Sequence, residues 1–198
     1  MIRWLFKTVL RVFGWKTITV LPKEKRYVVI AAPHTSNWDF PLGILYVFSA
    51  GIPFRYMGKA ALFKWPQKYL FKALGGFAVD RNSKNKLTTR MAEYINSQTE
   101  IALALAPEGT RSNIKYWRSG FYYIALEAKV PIAMAGLDFA NKEIGIKKTF
   151  MPSGDIDADM EIIRDFYKDI KGRHPEKQGP ITIKPKSQYR KYDANTSS

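Results

Sequence analysis

Apolar and polar positions along the 198-residue chain follow two alternating rhythms. Short runs with aliphatic, β-branched or aromatic side chains predict six strands: "YVVIAA" (27–32), "PFRYM" (53–57), "GFAV" (76–79), "IALALA" (101–106), "PIAMAGLDF" (131–139) and "IKKTFM" (146–151), the last on an edge. Between them lie stretches of helical period: "FPLGILYVFSA" (40–50), "KAALFKWPQKYLFKAL" (59–74), "SKNKLTTRMAEYINSQ" (83–98), "SGFYYIALEAKV" (119–130) and "DADMEIIRDFYKDIKG" (157–172). Strands alternating with helices predict one α/β domain over 20–184, with a central, mostly parallel sheet of about six strands and helices on both faces. No repeat, low-complexity tract or inter-domain linker interrupts it. From about Pro185 the chain turns polar, so 185–198 reads as a flexible tail.

The first sixteen residues, "MIRWLFKTVLRVFGWK", have a rhythm of their own. Arg3, Lys7 and Arg11 stack on one face at four-residue steps, and Ile2, Leu5, Val9, Val12 and Phe13 fall opposite. Trp4 and Trp15 land near the polar boundary, which suits a helix lying in a lipid headgroup layer. A helix packed on its own domain with a solvated basic face has the same pattern. The longest charge-free run, Phe40 to Phe54, is broken by Pro and Gly and is too short to span a bilayer, so no transmembrane helix is predicted. A peripheral site on the cytoplasmic face of the cell membrane is the location expected.

Charge sharpens the picture of partners. The net charge of +15 either serves solubility alone or calls for an anionic counterpart: nucleic acid, an acidic membrane, a phosphorylated substrate or an acidic carrier protein. Aromatic residues sit in apolar runs rather than in a base-stacking pattern, so no nucleic-acid partner is expected. The chain has no cysteine and only two histidines, which removes thiolate chemistry, disulfides and multi-histidine metal centres, and no metal site is expected. Neither a phosphate-binding P-loop, a dinucleotide fingerprint nor a nucleophile elbow is present.

Three polar clusters follow predicted strands, where α/β sheets carry their sites. "PHTSNWD" places His34 in a turn and Asp39 in the first turn of a helix, with Ser36 or Asn37 as cap. A carboxylate folded back on one ring nitrogen fixes the tautomer and frees the other nitrogen to accept a proton. "PEGTRS" offers Gly109 for close backbone approach, Thr110 and successive N–H groups for an anion, and Arg111 as a bidentate phosphate ligand. Glu108 reads as an orienter of the arginine or of a substrate hydroxyl. In "VDRN", Arg81 is either a second phosphate ligand or half of a surface ion pair with Asp80.

Taken in order, "PHTSNWD", "GGFAVDR", "APEGTRS" and "VPIAMAG" resemble the four blocks of the PlsC-type glycerolipid acyltransferase family, from roughly Lys25 to Phe139. The resemblance implies direct acyl transfer from acyl-CoA or acyl carrier protein to a lysophospholipid hydroxyl, such as that of 1-acyl-sn-glycerol 3-phosphate, with no other cofactor. It casts His34 as general base and Asp39 as its partner. Glu108, Gly109, Thr110 and Arg111 would place the acceptor, and Arg81 its phosphate. Met134 stands where the family's fourth block carries a second proline. Two other readings are compatible with the same residues: acyl transfer to another lipid hydroxyl (a lyso-amino-acid lipid or glycerol 3-phosphate), and a non-catalytic binder of anionic lipid or nucleic acid on the same fold.

Overall fold

The structure is a computed structural model and describes residues 2–58, 63–78 and 84–185. Its seven strands are β1 (Lys16–Thr19), β2 (Arg26–Ala32), β3 (Phe54–Gly58), β4 (Gly76–Ala78), β5 (Ile101–Leu105), β6 (Ile132–Asp138) and β7 (Glu143–Phe150). The helices are α1 (Ile2–Val12), α2 (Asp39–Ala50), α3 (Lys68–Ala73), α4 (Lys84–Ser97), α5 (Gly120–Ala128) and α6 (Ile156–Tyr167). The strands form one sheet in the order β1-β7-β6-β2-β5-β3-β4, parallel throughout except for the β6–β7 hairpin.

The seventh strand is β1, which its sequence does not announce: "KTIT" runs on from the helical period of the first residues. Its amides instead pair along β7 from Lys16↔Glu143 to Thr19↔Ile146. That pairing moves β7 off the expected edge and into the sheet. At the hairpin, Asp138 caps the turn, its Oδ1 accepting from the Ala140 and Asn141 amides at 3.1 and 3.3 Å.

Strand alternation divides the core in two. Val28, Ile30, Ile101, Leu103, Ile132 and Met134 face α4, α5 and α6. Tyr27, Val29, Ala102, Ala104, Ala133, Ile144 and Ile146 face α1 and α2. Met134 is fully buried on the α5–α6 side and forms no part of the cleft described below. Continuous helix over 59–74 is not found: of the described part, 63–67 is turn and 3-10 geometry, and only Lys68–Ala73 is α-helix. Pro66, with no N–H to give, accounts for the late start.

Helix α1 is held firmly. Phe6 stacks on Phe48 of α2 with centroids 5.2 Å apart, and Leu10 is buried beneath it. Trp15 is also core, edge-on to Phe139 at 5.0 Å, so it does not lie at the exposed polar boundary where the helical period would put it. At its C-terminus α2 closes on Gly51 in the left-handed region (φ 67), its N–H bonded to Val47 O. The Arg3 side chain lies against Gly51, a cation at the negative end of the helix. What remains outward is the apolar stripe of Ile2, Leu5 and Val12 on α1 with Phe13 just after it, and Trp4 at 71 % exposure.

Candidate active site

β2 and β5 are parallel neighbours, with Ile30 level with Leu105, so the loops after them emerge side by side. The first carries His34 and Asp39, the second the Glu108–Arg111 cluster. His34 Nδ1 lies 3.1 Å from Asp39 Oδ2, and the same oxygen accepts the Ser36 amide at 2.8 Å. Asp39 opens α2, so its carboxylate also sits at the positive end of that helix. The residue before the helix is Trp38, which makes no side-chain cap. Ser36 does not cap it either: its Oγ accepts the Trp38 amide at 3.2 Å and closes a turn just before the helix. With Nδ1 committed to Asp39, His34 Nε2 has no hydrogen-bond partner among the described residues, and the ring, 23 % exposed, lines an open cleft. That is the arrangement a general base needs.

Glu108 lies elsewhere than its sequence position suggested. It is buried and outside the cleft lining, with Oε1 accepting the His34 amide at 2.9 Å. Through that bond it orients the histidine's main chain, and no bond joins it to Arg111 among the described residues. Burial raises its pKa, and the hydrogen bond from His34 opposes the rise. Beneath it, the fully buried Tyr167 hydroxyl reaches the Ile30 and Ala135 carbonyl oxygens at 2.7 and 3.1 Å, tying the ends of β2 and β6 together. Burial, and then Glu108, hold that hydroxyl well above its ordinary pKa.

Arg111 lines the cleft and donates from Nε to Ser36 O at 3.1 Å, lashing the second loop to the first. Thr110 is exposed in the lining, with Oγ1 accepting the Ser112 amide at 3.4 Å. Gly109, at φ +67, has a different partner from the one anticipated. A Cβ there would stand 2.7 Å from Nε of Arg118, so the missing side chain makes room for a guanidinium. Arg118 is the residue that sequence reasoning missed. It lines the cleft, is held by its amide's 2.8 Å bond to Pro107 O and by the buried Trp117 beside it, and has no ion-pair partner among the described residues. Only the turn glycine nine positions earlier hinted at it. Arg81 and Asp80 lie outside the described residues.

The cleft has a volume of about 1430 Å³ and runs from these loops between the sheet and α2. Its floor is paved with small residues, Ala31, Ala104 and Ala135, and Gly43 lines it from α2. Ala31 is exposed although β2 is flanked by strands on both sides, so the groove cuts down to the middle of the sheet. Among the described residues no cluster of His, Asp or Glu has the makings of a metal site.

The His34–Asp39 pair thus stands at one end of a deep, mostly apolar groove, with Arg111 and Arg118 at its rim. The chain belongs to the acyltransferase family, whose model matches residues 15–136. It is 32 % identical over 103 residues to mouse (Mus musculus) 1-acyl-sn-glycerol-3-phosphate acyltransferase epsilon, a match covering 48 % of this chain and 28 % of that protein. Its fold is similar to that of the crystal structure of the 1-acyl-sn-glycerophosphate (LPA) acyltransferase PlsC from Thermotoga maritima. There the TM-score is 0.57 at 17 % identity, over 85 % of this chain and 74 % of that one. The family expected from the four sequence blocks is thereby confirmed, as is the single α/β domain.

Proposed function

We propose that the chain transfers a fatty acyl group from a thioester, acyl-CoA or acyl carrier protein, to the free hydroxyl of a lysophospholipid, 1-acyl-sn-glycerol 3-phosphate foremost. His34 Nε2 takes the hydroxyl proton as the oxygen attacks the thioester carbonyl. The tetrahedral adduct then expels the thiolate, which takes that proton back from the imidazolium. Asp39 steadies the imidazolium in between. Arg111 and Arg118 hold the acceptor's phosphate, with Arg81 as a further ligand expected from the sequence. The acyl chain lies in the groove over Ala31 and Ala135. Both donors are anionic and suit the charge of +15.

The observation that carries this reading is the His34–Asp39 pair opening onto a groove that exposes Ala31. No helix among the described residues is long and apolar enough to cross a membrane. The exposed stripe of α1 beside Arg3, Lys7 and Arg11 supports peripheral attachment to an anionic bilayer, on the cytoplasmic side where acyl thioesters are found. An assay crossing acyl-CoA and acyl carrier protein with a panel of lyso-lipids tests the proposal. Transfer to 1-acylglycerol 3-phosphate by the wild type, lost in His34→Ala with vesicle binding intact, is the expected result. Transfer that survives in His34→Ala overturns the role given to His34, and no transfer to any acceptor overturns the enzyme reading.

A further inference from the structure

A second surface shares the chemistry of the outer stripe of α1 and lies much nearer the cleft. In the segment 63–74, Trp65 is 78 % exposed, Tyr69 65 % and Leu70 60 %. Lys64 and Lys72 are exposed beside them, and Lys68 Nζ sits 5.0 Å above the Tyr69 ring. No acidic residue occurs between 63 and 78. The inner side of the segment is fully used: Phe71 packs on Phe40 and Phe63, with centroids 6.1 and 6.3 Å apart, and its carbonyl oxygen accepts the Tyr56 hydroxyl at 3.3 Å. The exposed aromatic side therefore has nothing left to pack on within its own segment.

We propose that this surface is a second bilayer-inserting element, standing at the mouth of the active-site cleft. Trp and Tyr interleaved with Lys is the composition of a membrane–water boundary, where rings sit at headgroup level and ammonium groups meet anionic lipid. Position agrees with composition. Phe71 and Phe40 both line the cleft, so the inserting side and the substrate groove share a wall. α1 and α3 flank the same helix, α1 through Phe48 near its C-terminus and α3 through Phe40 near its N-terminus. A bilayer is broad enough to meet both ends of α2, whereas a small acidic carrier would be expected to cover one. A lysophospholipid could then slide its tail from the bilayer into the groove without crossing water. This last step rests on the proposed function, but insertion itself does not.

Because the chain has no cysteine, a single thiol can be placed at will. Leu70→Cys carrying a polarity-sensitive dye should shift to the blue on phosphatidylcholine vesicles containing phosphatidylglycerol, and brominated lipid should quench it. Trp65→Ser/Tyr69→Ser/Leu70→Ser changes exposed positions alone, and circular dichroism checks that it folds. Its vesicle partition should fall by about tenfold, as loss of inserted apolar area requires. Its turnover of vesicle-embedded acceptor should fall in step, while turnover of a monomeric short-chain acceptor stays unchanged. A dye that remains in water on vesicles, or that shifts only with acyl carrier protein or on self-association, overturns the proposal. Absence of acyl transfer to every acceptor would sink the enzymatic reading and leave the dye result to judge insertion.

Discussion

Two carboxylates hold His34, one by its ring and one by its main chain, and they should respond differently to substitution. Asp39→Asn keeps the shape of the turn but not the charge that steadies the imidazolium. It should lower kcat by about 10²–10⁴-fold, the range of general-base catalysis, with little change in KM. Steady-state kinetics on a soluble acceptor reads this directly. Glu108→Gln should keep an acceptor for the His34 amide and leave kcat within a few-fold. Its signature is pH-dependent stability. The folded state holds the Glu108 proton more tightly than the unfolded state does, so this residue's contribution falls as pH rises from the ordinary carboxyl range through the raised value. Urea unfolding across that window should show the variant equal to wild type at the acid end and more stable above it. Arg118→Ala should raise KM for a phosphate-bearing acceptor more than it lowers kcat. The His34–Asp39 contact was legible in the sequence because it spans five residues and one turn. Glu108 meets His34 across 74 positions, and Arg118 depends on a side chain that Gly109 lacks, so neither contact could be read from spacing.

Among the elements, α1 makes the clearest wager. Its inner residues are tied to the domain, Leu10 in the core and Phe6 stacked on Phe48, so removing the helix outright would damage the fold as well as any membrane contact. The clean change is Ile2→Ser/Trp4→Ser/Leu5→Ser, which touches only exposed positions. It should weaken vesicle cosedimentation while the thermal midpoint stays near wild type. Equal binding by this variant would dispose of the anchor. The pattern of apolar residues revealed six strands because each is a short run with aliphatic, β-branched or aromatic residues, set apart from the helical periods around it. β1 escaped because four residues of mixed polarity gain their strand character only from the partner they find on β7. The same omission made β7 look like an edge. The helix before β4 was overread because its period continues through Pro66, where the backbone cannot follow.

At the scale of the whole molecule, the groove and the charge each set a measurable limit. Small side chains at Ala31, Ala104 and Ala135 keep the groove open, so Ala135→Leu should shift donor preference toward shorter acyl chains without altering the His34 turn. A chain-length series of acyl-CoA measures that. With +15 spread over the chain, vesicle association should need anionic lipid and weaken steeply with salt, since screening acts over about 8 Å at physiological ionic strength. The pairing of β1 along β7 has one more consequence. Because the chain's opening helix is stitched to the sheet by the strand that follows it, and rests on α2 as well, it cannot swing like a tether. Wherever its outer stripe settles, the histidine at the far end of α2 arrives at a fixed height and tilt. Attachment would then aim the catalyst rather than merely keep it close.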